Sequence, residues 1–176
     1  MKKPILGWVL GACICANAWP SEAQFISTGD EISYLGLREA DFVPLVANIK
    51  RISRPLKGPR GELGKWTKPG EPYLGQPFVN TYFVESGKVS RIEKSWASSS
   101  AECGSGQWFE TAIQQINQMH GEGQQFYADI DSRLSPRSAM WVIQEAQVSL
   151  FGDMTPGKCS MRLVFKPNVT NDGSEL

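Results

Sequence analysis

The segment Phe78–Trp96, FVNTYFVESGKVSRIEKSW, sets the fold class of this chain. It contains two runs rich in valine, isoleucine, threonine and aromatic residues, which are the residue types that strands favour. Ser86-Gly87 separates the two runs, and a two-residue connection of this kind is typical of a tight β-hairpin. The spacing predicts an antiparallel hairpin in which Glu85 lies opposite Lys88.

The sequence after the hairpin predicts one helix and three strands. Apolar residues recur at helical spacing over 106–120, and Gly121 follows at a position where helices commonly end. Apolar and polar residues then alternate over 126–131, over Ala139–Phe151 and over Cys159–Phe165. Because this period of two is typical of half-buried strands, these segments predict a three-strand meander.

The sequence before the hairpin predicts a helix and a long loop. Asp41 is suited to cap a helix that runs to about Ile52, and Pro44 is tolerated in its first turn. The segment Ser53–Pro77 holds five prolines and five glycines among 25 residues, which predicts a long irregular loop.

These elements predict a single α+β domain over residues 25–167. Its antiparallel sheet consists of the hairpin and the three-strand meander, with two helices packed on one face. A polar segment over 168–176 is expected to be a flexible tail. The length of 176 residues supports one domain, and 18 basic residues balanced by 18 acidic ones argue against a strongly basic nucleic-acid-binding protein.

The first residues are typical of an export signal. Lys2 and Lys3 precede an uncharged apolar stretch over 4–16, and residues 16–18 (Ala-Asn-Ala) fit the pattern that signal peptidases cleave. The apolar stretch is shorter than the ~20 residues that a spanning helix needs. We therefore expect residues 1–18 to be a signal peptide, with cleavage after Ala23 as the other candidate position, and the mature protein to be periplasmic or secreted.

A lipoprotein signal is the alternative interpretation of the same segment. Leu10–Cys13 resembles the lipobox of bacterial lipoproteins, in which the cysteine is lipidated after cleavage. In that case Cys13 would anchor the protein to a membrane. An uncleaved N-terminal anchor is a further alternative, which the short apolar stretch disfavours.

Cleavage after residue 18 leaves two cysteines, Cys103 and Cys159. Two cysteines in an exported chain predict one disulfide. Because the loop that it closes is long, the bond is expected to stabilise the folded state by roughly 4 kcal/mol through the entropy that it removes from the unfolded chain. Two buried free thiols are the alternative. With a lone histidine, His120, these cysteines cannot supply the four nitrogen and sulfur ligands of a structural zinc site without a carboxylate, so no metal is expected.

Catalytic patterns are weak in this chain. The segment starting at Cys103 resembles the C-G-S-C-W segment of papain-like cysteine proteases, but Gly106 stands where that family has its nucleophile, so we reject the family. His120 is best interpreted as a helix C-terminal residue. Asp129 and Asp131 would share one face of a predicted strand and could reach one cation, but paired acids on the outer face of a half-buried strand are more often simply solvated. The sequence thus favours a protein without enzymatic activity or cofactor, while an unrecognised site stays open.

The Gly/Pro-rich segment is the best candidate for binding. It carries Lys57, Arg60, Lys65, Trp66 and Lys68, and arginine and tryptophan are enriched at binding hot spots. A solvated connector is the competing interpretation. The sequence favours a small exported protein that binds and inhibits or neutralises a protein partner in the cell envelope, as inhibitors and immunity proteins do.

Two other functions stay open at this point. One is an envelope assembly or secretion accessory factor, lipid-anchored through Cys13. The other is an enzyme with an unrecognised site, such as a cell-wall hydrolase built on carboxylates. Nucleic acid is not expected as a partner under any of the three.

Overall fold

Eight strands form one antiparallel sheet in the described part of the chain. The computed structural model describes residues 29–99, 103, 107–127, 137–155 and 157–168. The order across the sheet is β1-β2-β3-β4-β8-β7-β6-β5. The strands are β1 Lys50–Lys57, β2 Leu63–Tyr73, β3 Gln76–Glu85, β4 Lys88–Ser98, β5 Gln124–Tyr127, β6 Arg137–Ile143, β7 Ala146–Thr155 and β8 Lys158–Pro167.

The helices are few and mostly short. They are α1 Gly29–Tyr34, α2 Glu39–Phe42, a 3-10 turn Val43–Leu45 and α3 Gln107–His120. None of the helices described is long and apolar enough to cross a membrane. The α+β class, with an antiparallel sheet, short helices and one disulfide, is confirmed.

The central hairpin forms as predicted. Strands β3 and β4 pair with Glu85 opposite Lys88 and Val84 opposite Val89. The connecting residues, Ser86 and Gly87, have φ values of 49° and 76°. A type I′ turn needs positive φ at both positions, and its twist matches that of the flanking strands.

The predicted helix from Asp41 to Ile52 is wrong. Helix α2 ends at Phe42, the 3-10 turn follows, and strand β1 has already begun at Lys50. The chain leaves the helical region at Val46, which is extended, and turns through Asn48, whose φ is 59°. Ile52, where the predicted helix was to end, belongs to β1, and a β-branched side chain suits a strand because it is stiff at χ1.

The predicted loop over Ser53–Pro77 is also wrong, since it contains most of β1 and all of β2. Pro55 is tolerated because β1 is an edge strand and its pairing with β2 is irregular between Arg51 and Leu56. Gly64 permits close packing, since a Cβ there would lie 3.1 Å from the Phe83 ring. The prolines and glycines here shape strands rather than prevent them.

The meander differs from the prediction in its number of strands. Residues Ala139–Phe151 form two strands, β6 and β7, joined at Gln144-Glu145, so β5 to β8 make four consecutive neighbours. Gln144 takes a φ of 53°, and without a glycine the turn left no signal in the sequence. The segment 126–131 is described only as far as Tyr127.

The core lies on one face of the sheet. Phe109, Ile113 and Ile116 of α3 share a buried cluster with Phe42 of α2 and with inward side chains of β3, β4, β6, β7 and β8. Gly152 allows this packing, because a Cβ there would lie 2.4 Å from the Phe109 ring. The predicted layer of two helices is replaced by α3 and shorter helical segments.

The disulfide links Cys103, before α3, to Cys159 on β8, with 5.4 Å between the Cα atoms. The predicted pairing is therefore confirmed, and the free-thiol alternative is wrong. The expected signal peptide over 1–18, the alternative lipidation site Cys13, and residues 169–176 of the expected tail lie outside the described residues.

Candidate functional site

The hairpin formed by β1 and the first half of β2 carries a concentrated positive charge. Residues Lys50–Lys68, named here the basic hairpin, contain seven basic side chains and one acidic side chain, Glu62. The rest of the chain holds eleven basic and seventeen acidic residues, so the overall neutrality conceals a strong separation of charge. Such a field attracts anionic partners and raises their rate of association.

Strand β1 is the positive edge of the sheet. Half of its eight residues are basic, and its side chains are mostly exposed. Arg51 also lies over the Trp66 ring, with 5.9 Å from Cζ to the ring centroid. Charge, Pro55 and an irregular register protect an edge strand against pairing with another chain. Side chains of β1, rather than its backbone, are thus the groups offered to a partner.

The five residues predicted to bind lie on this hairpin but have different surroundings. Lys57 and Arg60 are exposed at and near its tip, and Lys68 is half-buried. Lys65 Nζ donates a hydrogen bond to Glu39 Oε2, and Trp66 Nε1 donates one to Glu39 Oε1, each over 2.8 Å. These two residues therefore attach the hairpin to α2.

The Glu39 carboxylate is held in its charged form by this attachment. The hydrogen bond from Lys65 is the largest influence on its pKa, which lies below the ordinary value although burial opposes the shift. The hydrogen bond from Trp66 acts in the same direction. The base of the basic hairpin is thus fixed by a charged contact.

A cleft of about 310 Å³ lies between the tip of the basic hairpin and the outer face of the sheet. We call it the outer cleft. Its lining residues come from the tip, β3, β4, β7 and β8, and they are Pro59, Arg60, Glu62, Glu85, Ser90, Arg91, Ser149, Phe151, Arg162, Val164 and Lys166. Four of these side chains are basic and two are acidic.

Arg91 of β4 is held between two carboxylates beside the cleft. Its Nη1 donates to Glu62 Oε1 over 2.9 Å, and its Nη2 donates to Glu93 Oε1. The guanidinium also lies over the Phe83 ring, 4.9 Å from the centroid. Arg91 is 13% exposed in its side chain and Glu62 is 6% exposed. These contacts fix the position of the guanidinium.

Glu62 closes the hairpin tip onto the sheet. Besides Arg91, its side chain accepts a hydrogen bond from the backbone N–H of Arg60 over 2.8 Å. Burial alone would raise the pKa of Glu62, but these hydrogen bonds outweigh burial and hold the pKa below its ordinary value. A Cβ at Gly58 would lie 2.5 Å from Glu62 Cδ, so a larger residue at this position would displace the Glu62 side chain.

The wall of the outer cleft is formed by β7 and β8. Arg162 lies over the Phe151 ring, 5.2 Å from the centroid, and the Phe151 side chain is 40% exposed. Val164 is buried and Lys166 is half-buried at the same side. Sequence reasoning missed this wall. The sequence did contain a sign of it: in the last strand the polar positions, which include Arg162 and Lys166, alternate with the apolar residues that face inward.

The carboxylates and the histidine that a hydrolase would need do not form one group, although Glu85 lines the same cleft as Glu62. Glu93 contacts Arg91, and Glu110 Oε1 lies 2.8 Å from Arg137 Nη1. His120 ends α3, where burial lowers its pKa and favours the neutral ring. Within the described ranges, no group of three or more histidine, cysteine, aspartate or glutamate residues could hold a metal ion. Asp129 and Asp131 lie outside those ranges.

No protein-family model, curated protein or solved structure matches this chain. The basic hairpin and the outer cleft are therefore the two features of the molecule that bear on its function. Arg91 held by its two carboxylates, together with Arg162 and Lys166 beside the exposed Phe151 ring, is suited to bind a group that carries negative charge.

Proposed function

We propose that this chain is an exported binding protein whose basic hairpin holds an acidic surface of a protein partner in the cell envelope, inhibiting or neutralising that partner. The observation that carries this proposal is the ratio of seven basic side chains to one acidic side chain in residues Lys50–Lys68. An electrostatically complementary partner would be steered to this surface and kept in one orientation.

The rigidity of the hairpin supports a binding role. Glu39 fixes its base through Lys65 and Trp66, and Glu62 fixes its tip through Arg91. A surface that is already ordered loses little conformational freedom when it binds, and this improves affinity. An inhibitor that works by occupying its partner benefits from such a prearranged surface.

The proposed location is the periplasm or the extracellular space. The disulfide between Cys103 and Cys159 supports it, because structural disulfides persist in oxidising compartments. The charge pattern of residues 1–18 supports it as well. Mass spectrometry of the mature protein would test this: a new N-terminus near residue 19 or 24 agrees with export, and an acylated Cys13 would redirect the proposal to a lipid-anchored accessory factor.

Affinity capture from native envelope extracts tests the function itself. We expect the purified wild-type protein to retain one stoichiometric partner, and a Lys57→Glu/Arg60→Glu variant to lose it. Lys158→Glu is the control for a single charge reversal, since it lies at an exposed position of β8 outside the outer cleft, and Arg60→Glu alone is the variant that carries the same charge change. Equal retention by the wild type and the double variant would remove the basic hairpin from the proposal.

A further inference from the structure

We propose that the outer cleft is an anchor site for a carboxylate side chain of the partner, supplied by an aspartate or glutamate on an acidic loop. This inference rests on the proposed function and specifies the chemistry that the partner presents. The cleft is continuous with the basic hairpin through Pro59 and Arg60, which belong to both. One acidic segment could therefore follow the hairpin and place a side chain in the cleft.

The charges of the cleft favour a carboxylate. Arg91 is already compensated by Glu62 and Glu93. Three further cations line the cleft, Arg60, Arg162 and Lys166, and they face a single additional acid, Glu85. An incoming carboxylate would find more donors than the cleft's own acids use, and hydrogen bonds between ionised groups are among the strongest in proteins.

The size and walls of the cleft fit one side chain with its neighbouring backbone. A volume of about 310 Å³ is at the small end of ligand sites. Phe151 and Val164 supply apolar surface for the methylene groups of the incoming residue, while Ser90 and Ser149 add hydroxyl groups. The combination of apolar wall and cationic rim matches the two parts of a glutamate or aspartate side chain.

The position of the cleft favours a protein loop over a membrane surface. It lies behind the hairpin tip, bounded on one side by the tip and on the other by the sheet. A projecting side chain can enter this recess, whereas the plane of lipid headgroups would meet the exposed cations of β1 first. The experiment must therefore distinguish binding to a membrane from binding to an acidic protein loop.

The test uses the mature protein and a fluorescein-labelled peptide in which glutamate alternates with glycine, with anisotropy as the readout. A second peptide has glutamine in place of each glutamate. We expect binding of the glutamate peptide only, weakened by about tenfold in Arg162→Glu and in Lys166→Glu, because each variant places a negative charge at the proposed anchor. Lys158→Glu is the control on the same strand and should stay within about twofold of the wild type.

Circular dichroism and thermal melting establish that each variant is folded, and Arg162→Gln provides a milder change if the reversal unfolds the chain. Equal weakening by all three glutamate variants would overturn the anchor site, since only general charge would then matter. Tighter binding to phosphatidylserine vesicles than to the peptide, lost in Arg162→Glu, would overturn it in favour of lipid. If the partner captured from extracts is retained by Arg162→Glu, the anchor fails while the proposed function stands.

Discussion

Two ionic clusters on β4, three residues apart, face opposite sides of the sheet. Lys94 points into the core, where its Nζ lies 2.6 Å from Glu31 Oε1. Arg91 points to the outer face, where it contacts Glu62 and Glu93 beside an open cleft. Both clusters pair a cation with carboxylates, but only the outer one borders a space that a partner can enter.

The inner cluster is enclosed on every side. Lys94 is 0% exposed and Glu31 is 3% exposed. The ammonium also lies 4.6 Å from the centroid of the Tyr73 ring, and burial together with the Glu31 charge raises the pKa of Tyr73. Because Glu31 belongs to α1, this pair ties that helix to the sheet. Because it is enclosed, the inner pair can only stabilise the fold, whereas the open rim leaves the outer cluster available for binding.

Breaking the inner pair should have the largest effect. Lys94→Ala leaves the Glu31 carboxylate buried without its cation, and we expect a loss of about 4 kcal/mol in the free energy of unfolding. Urea denaturation measures it. A Lys94→Met/Glu31→Leu double variant is the control, since two apolar groups of similar size should restore most of the stability. A single variant as stable as the wild type would show that the pair is not buried in solution.

Breaking the outer cluster should lower the free energy of unfolding by a smaller amount. Glu62→Gln removes the charge that faces Arg91, but Glu93 still compensates the guanidinium, so we expect a loss of about 2 kcal/mol. The same denaturation experiment applies. A loss as large as that of Lys94→Ala would mean that the two clusters are equally enclosed, contrary to the comparison.

Acid should act on the outer cluster through the low pKa of Glu62. The pKa of Glu62 is lower in the folded protein than in the unfolded chain. Ionised Glu62 therefore stabilises the fold above about pH 4.3, the ordinary pKa of a glutamate. This stabilisation is lost as the pH falls through the pKa of Glu62 in the folded protein. The loss of stability between about pH 7 and about pH 3 should therefore be smaller in Glu62→Gln than in the wild type. Identical losses in both proteins would contradict the assignment.

An exposed pair should show the smallest effect. Arg38 Nε lies 2.7 Å from Asp41 Oδ2, with side chains 74% and 49% exposed. Solvent screens such pairs, so Asp41→Asn should leave the denaturation midpoint unchanged within error. A measurable shift would indicate that Asp41 contributes through another contact.

Local signals predicted the elements whose turns and periods are distinctive. The β3–β4 hairpin followed from Ser86-Gly87, and helix α3 from an apolar stripe ended by Gly121. Strands β1 and β2 did not follow, because their prolines and glycines are usual in loops. They are tolerated here since β1 has a neighbour on one side only, which is a property of the assembled sheet.

The candidate site divides in the same way. The basic residues of the hairpin were predicted from their density along the chain. Arg162, Lys166 and Phe151 were not predicted, because they line the outer cleft only once β8 has paired with β4 and β7 has paired with β8. Lys65 and Trp66, for which partner binding stays a prediction, both contact Glu39, and this contact was not predicted. Their positions in sequence carry no information about that contact.

The sequence alone determined the α+β class, the central hairpin and the cysteine pair, because alternation, turn chemistry and cysteine count are properties of adjacent or few residues. The tertiary structure decided that the Gly/Pro-rich segment is a hairpin and that Arg60, Arg91 and Arg162 line one cleft. Those arrangements depend on strand order and on which face each side chain takes. Both are set by burying the apolar face of the whole sheet, and no single segment specifies them.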